Sequence, residues 1–142
     1  MPSKPLTPGR REWLVTTYLA YVRRTQPPTR DERLRASRTQ GFRALTIMDD
    51  LVDDDPESAW SILLELMDRA RARHQLGMIA AGPLENFISA HWATWLDRVE
   101  NRAASDPRLR YCLSQIYVSS LPELYQARVR RLADRSVPPD VE

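Results

Sequence analysis

Apolar residues recur every three or four positions along most of this 142-residue chain, the spacing of one face of an α-helix. No segment alternates apolar and polar residues as a half-buried strand does. Capping residues followed by proline mark several helix starts, because proline fits the first turn, where its missing N–H would have no partner. These pairs are Thr7-Pro8, Asp55-Pro56 and Asp106-Pro107. The pattern therefore predicts an all-α fold.

The amphipathic stretches give the predicted helix positions. The clearest covers residues 56–73, and others cover residues 8–24 and 107–119. A further helix should follow Leu121, where Ser120 and Glu123 have the spacing of a capping box. The predicted core consists of the apolar stripes of these helices: Trp60, Leu63, Leu66, Met67, Leu84, Phe87, Ile88, Trp95, Leu96, Val99, Leu113 and Ile116.

Two segments are harder to assign. Residues 30–40 are rich in arginine, and they form either the solvated first half of a helix that continues past Gly41 or a connection ending there. We favour a helix broken near Gly41. In residues 74–104 we expect a short helix to Ala81, a stop at Gly82, and a second helix that bends near His91.

The predicted architecture is a compact stack of six to eight short helices. Short connections favour antiparallel neighbours, as in helix pairs of the HEAT type. The Asp-Pro openings, about fifty residues apart, hint at such a repeat, but an irregular bundle explains them nearly as well. The chain length fits one domain over residues 1–142. We expect its ends, about 1–6 and 137–142, to be loose.

Several classes of site are missing from the sequence. The single cysteine, Cys112, lies in a helical pattern and should be a buried apolar residue. Together with His74 and His91 it does not make a zinc site, and the four glycines are too scattered for a phosphate loop. We therefore expect no metal and no cofactor. With neither a bilayer-length apolar run nor a signal peptide, we expect a cytoplasmic protein that does not bind membranes.

Residues 55–113 contain a recognisable series of short motifs. They are Asp55-Pro56-Glu57, Ala59-Trp60, Gly82-Pro83-Leu84-Glu85, His91, Asp97-Arg98-Val99-Glu100 and Asp106-Pro107. In this order they resemble an uncharacterised bacterial all-helical family of unassigned function. Because the motifs are mainly caps and turns, the resemblance implies a shared fold and a bacterial source rather than a shared activity.

Glu85, His91 and Asp97 are the grouping that comes closest to an acid–base set. Their six-residue spacing does not place them on one helix face, so they would meet only across a bend near His91. Glu85 fits better as a carboxylate facing unpaired N–H groups of a first turn, and His91 as a half-buried, hydrogen-bonded side chain. We therefore assign no catalytic residue and keep these three as weak candidates.

Charge is segregated along the chain although the net charge is only +2. Residues 1–48 hold ten basic and three acidic residues, whereas residues 49–68 hold eight acidic and no basic ones. Segregated charge steers association more than it stabilises a fold, so we expect a partner-binding surface here. Pairing of the two segments with each other, or a solvated acidic turn, are the alternatives. The residues concerned are Asp49, Asp50, Asp53, Asp54, Arg30, Arg33, Arg35 and Arg38.

These observations favour a non-catalytic helical protein-binding module in a bacterial cytoplasm, such as an adaptor or an immunity protein that inhibits a toxin. That choice is an analogy at the level of the fold. One alternative is a nucleic-acid-associated protein that uses the arginine-rich N-terminal third. The other is a cofactor-free enzyme with a site near Glu85 and His91.

Overall fold

The computed structural model describes residues 6–22 and 40–142, which contain seven α-helices and no strand. The prediction of an all-α fold with six to eight short helices is confirmed for these residues. None of the described helices is long and apolar enough to cross a bilayer. The helices are α1 (Pro8–Val22), α2 (Gln40–Asp54), α3 (Pro56–Arg69), α4 (Arg73–Ile79), α5 (Glu85–Ala103), α6 (Pro107–Leu113) and α7 (Glu123–Leu132), with a π-helical segment, Ala80–Leu84, between α4 and α5.

The helices pack as an irregular bundle. In a regular solenoid each repeat contacts only its neighbours. Here α1 packs against α2, α3 and α4, and α5 packs against α2, α3, α6 and α7. Gly41 is the second residue of α2, which runs from Gln40 to Asp54 without interruption. The assignment of residues 30–39 lies outside the described residues.

We predicted a capping side chain at four helix starts within the described residues, and the structure confirms three of them. Thr7 Oγ1 accepts the Arg10 N–H at 3.2 Å. Asp55 accepts the Ser58 N–H at 3.2 Å, and Asp106 accepts the N–H groups of the second and third residues of α6 at 3.1 Å. The predicted capping box at Ser120 was wrong, because α7 starts after Pro122 without a side-chain cap.

Gly82-Pro83 does not stop the helix, contrary to prediction. Pro83 lacks the N–H that would bond to the carbonyl four residues earlier. The turn widens by one residue instead, and the Glu85 N–H reaches the Ala80 carbonyl. Backbone angles remain helical at both ends of the π segment, and α5 continues through His91 to Ala103 without the predicted bend.

Two other predicted helices end early. The first ends at Arg69 instead of residue 73, because Ala70 adopts an extended backbone. The other, α6, ends at Leu113 instead of residue 119. Beyond this end, the Tyr117 N–H donates to Glu85 Oε1 of α5, at 2.5 Å.

One continuous core joins the helices. Of the twelve predicted core residues, only Ile116 is half-buried and the rest are buried. An aromatic cluster of Trp60 on α3 with Phe87 and Trp95 on α5 lies within it, with ring centroids 5.0 to 6.1 Å apart. Cys112 is buried as predicted, and burial raises the pKa of its thiol to about 12, so the thiol stays protonated at neutral pH.

The C-terminal residues, which we predicted to be loose, pack against the α3–α4 connection. The Glu142 N–H donates to the Arg71 carbonyl at 2.9 Å, and the Arg73 N–H donates to the Glu142 carbonyl at 2.8 Å. Pro138 and Val141 are buried. These apolar contacts and paired backbone groups fix the segment despite its proline content.

Candidate functional site

The structure keeps Glu85, His91 and Asp97 apart. All three lie on α5, where a six-residue step advances about 9 Å along the axis and turns about 240° around it. Each has a different partner. Glu85 accepts the backbone N–H of the α6–α7 connection, His91 Nε2 lies 2.6 Å from the Val52 carbonyl oxygen, and Asp97 accepts from Arg128 at 2.6 Å.

These contacts define what each side chain does. A carbonyl oxygen only accepts, so His91 Nε2 carries the proton and is not free to act as a base. Half-burial and hydrogen bonding are what we expected of this histidine. Glu85 is not a first-turn cap as predicted, because the helix continues through it from the π segment. The three side chains therefore do not meet at one site.

The predicted acidic residues are Asp49, Asp50, Asp53 and Asp54. They belong to the C-terminal end of α2 and not to a turn between helices. All four are exposed, and none forms an ion pair within the described chain. Their predicted counterparts Arg30, Arg33, Arg35 and Arg38 lie outside the described residues. Seven carboxylates elsewhere in the described residues are paired with arginine, namely Glu12, Glu57, Glu65, Asp97, Glu100, Asp106 and Asp140.

An open cleft of about 460 Å³ lies between side chains of α2 and α5, and we refer to it as the acidic cleft. Side chains spaced three and four residues apart line it from both helices, as helix geometry requires. The Asn86 side chain lies opposite the Asp49 carboxylate in this cleft. The lining residues are Asp49, Val52, Asp53, Asn86, Ser89 and Ala90.

Partial burial in the acidic cleft raises the pKa of Asp49. The Asn86 side chain lowers this pKa, and the negative charges of Asp50 and Asp53 raise it again. A folded-state pKa above the unfolded one means that ionisation of Asp49 destabilises the fold. The cost is present at pH values above the raised pKa and disappears as the pH falls through it. Asp49 is thus not placed to stabilise the folded chain at neutral pH.

The acidic cleft lies close to the π-helical segment. The hydroxyl of the buried Tyr18 faces Gly82. A Cβ atom added at Gly82 would lie 3.6 Å from it. Burial, followed by the charge of Asp49, raises the pKa of Tyr18, so the phenol stays protonated and neutral. π-Helical turns inside helices are found frequently at functional sites.

Two polar lining residues, Asn86 and Ser89, were not predicted as site residues. They lie on the polar face of α5, like many solvated residues, and nothing in their local sequence sets them apart. Only the packing of α2 against α5 brings them to Asp49 and Asp53. Within residues 6–22 and 40–142, no three His, Cys, Asp or Glu side chains are arranged to hold a metal ion.

Comparison with known proteins gives one match. A family of unknown function, DUF6869, matches residues 32–137, well over half of the chain. The chain belongs to the DUF6869 family. The match includes α2 to α7, and therefore both walls of the acidic cleft, but not α1. Membership of the DUF6869 family confirms the expectation of an uncharacterised family. No curated protein and no solved structure matches the chain.

Proposed function

We propose that the chain is a non-catalytic protein-binding module whose acidic cleft receives a basic segment of a partner protein. The observation that carries this proposal is the set of carboxylates at the C-terminal end of α2 that form no ion pair within the described residues. An adaptor or an immunity protein in a bacterial cytoplasm would act in this way.

These carboxylates are unfavourable for the stability of α2. The C-terminal end of a helix carries a partial negative charge, so an acidic residue there typically costs 0.3–1 kcal/mol where a basic one would stabilise. The last turn of α2 has no basic residue. Asp49 and Asp53, and likewise Asp50 and Asp54, also repel each other at a spacing of four residues. A surface that costs stability is better explained by binding than by folding.

The acidic cleft matches the chemistry of an arginine or lysine side chain. A guanidinium has five N–H donors, and Asp49, Asp53 and the Asn86 amide oxygen are acceptors. Val52 and Ala90 give the aliphatic stem of such a side chain an apolar contact. The space is also sufficient for neighbouring residues of the partner.

The test compares two double variants that change the same amount of charge. Asp49→Lys/Asp53→Lys alters the acidic cleft. Asp68→Lys/Glu123→Lys alters two exposed carboxylates elsewhere that have no ion pair in the described chain. Binding of a fluorescein-labelled arginine-containing peptide is followed by anisotropy, and association rates are measured at several salt concentrations. We expect the cleft variant to bind about tenfold or more weakly and to lose salt dependence, and the control to change less than about threefold.

The melting temperature separates this proposal from internal charge pairing. Lysines at the end of α2 complement the helix dipole, so the cleft variant should melt at the same or a higher temperature. A lower melting temperature with unchanged peptide binding would show that the carboxylates are paired within the chain. An equal loss of binding in both variants would show that binding depends on net charge alone. It would contradict the proposal that the peptide binds in the acidic cleft.

A further inference from the structure

A second groove, of about 540 Å³, lies between the chain that follows α6 and the C-terminal end of α7. Its floor is aliphatic, with Leu113, Val118 and Val129 buried beneath it and Ile116 half-buried. The rim is open, and the Tyr117 side chain on it is 80% exposed. We refer to this region as the α6–α7 groove, and it shares no lining residue with the acidic cleft.

Two arginines on the rim have no ionic partner within the described residues. Within the described residues, Arg130 donates only to the Gln126 amide oxygen, at 3.2 Å, and the Arg135 side chain has no hydrogen bond or ion pair. The neighbouring carboxylate of Asp134 accepts the Ser136 N–H at 2.8 Å. No acidic residue lines the groove.

Arg128 shows what pairing looks like on the same helix. Its guanidinium donates to both Asp97 and Glu100 at 2.6 to 3.0 Å and lies over the Tyr125 ring. Arg130 and Arg135, in contrast, place two positive charges beside an apolar floor whose described lining residues include no carboxylate. This surface is complementary to a ligand that is apolar in one part and anionic in another.

We propose that the α6–α7 groove binds an acidic amphipathic segment of a protein. Aliphatic side chains of that segment lie over the floor, and its carboxylates pair with Arg130 and Arg135. Single-stranded nucleic acid fits less well, because it needs aromatic rings for base stacking and Tyr117 is the one aromatic residue among the lining residues. The inference goes beyond the acidic cleft, since it concerns another surface and a ligand of opposite charge.

The experiment uses the full chain and a labelled helical peptide whose leucine face is bordered by glutamates. We expect micromolar binding that weakens at least tenfold in Arg130→Glu/Arg135→Glu and at least threefold in Tyr117→Ala. The matched control is Arg10→Glu/Arg43→Glu, which reverses two exposed arginines outside the groove and should leave binding within twofold. Arg130→Gln/Arg135→Gln repeats the test without introducing new negative charge.

The peptide chemistry supplies the second comparison. Replacing either its glutamates with glutamines or its leucines with alanines should weaken binding at least fivefold. Binding that is absent at millimolar peptide, or equal in the groove and control variants, would overturn the proposal. The proposal would also be overturned if an oligouridine probe bound more tightly than the peptide and this binding were lost in Arg130→Gln/Arg135→Gln. The groove would then be a nucleic-acid site. None of these outcomes depends on the acidic cleft.

Discussion

The Trp60→Ala variant should lose roughly 3–5 kcal/mol of unfolding free energy, the cost of truncating a buried aromatic residue. Trp60 is 6% exposed and contacts the rings of Phe87 and Trp95, so its removal leaves a cavity between α3 and α5. Urea unfolding followed by far-UV circular dichroism measures this loss. The matched control is Leu124→Ala, which truncates a side chain that is 80% exposed and should change stability by less than about 0.5 kcal/mol. A loss below about 1 kcal/mol for Trp60→Ala would contradict the described packing.

Arg108→Ala should be comparably destabilising, by roughly 2–5 kcal/mol, because it removes a buried charge that satisfies other buried groups. Arg108 is 8% exposed, and its Nη1 donates to the carbonyls of Met67 and Ala70 at the end of α3. Its Nη2 pairs with Asp140 of the C-terminal segment. The guanidinium therefore links α6, the end of α3 and the chain end.

A conservative substitution and a partner substitution resolve these roles. Arg108→Lys keeps the charge but cannot reproduce all the bonds of the planar guanidinium, so it should recover only part of the stability. Asp140→Asn should have a much smaller effect, because the Asp140 side chain is largely exposed and its attraction is screened by water. Equal losses in Arg108→Ala and Asp140→Asn would mean that the ion pair, and not the bonds to α3, gives the stability.

The features that the sequence predicted well are local. Asp55 and Asp106 bond to N–H groups two or three residues away, so a short motif contains both donor and acceptor. The core of α3 and α5 was predicted because burial follows helical spacing. Gly82-Pro83 was misread because a glycine followed by proline is common at helix ends, whereas here a π-helical turn accommodates the missing Pro83 N–H.

The features that were missed depend on residues far apart in the chain. Arg108 bonds to carbonyls 38 and 41 residues away, and the Glu85 carboxylate accepts an N–H 32 residues away. Asn86 belongs to the acidic cleft only because α5 packs against α2. Charge segregation singled out Asp49 and Asp53 as candidate partner-binding residues, whereas the opposite wall of the cleft has no comparable pattern in the sequence.

Nuclear magnetic resonance tests most directly whether the acidic cleft is the binding surface. The ¹⁵N-labelled chain is titrated with the unlabelled arginine-containing peptide, and amide shifts are recorded in the original chain and in Asp49→Lys/Asp53→Lys. We expect the largest shift changes at residues 49–54 and 86–90, the two walls of the cleft, and we expect them to disappear in the variant. Shift changes centred on other acidic surfaces, or unchanged in the variant, would contradict the assignment of the acidic cleft as the partner-binding site.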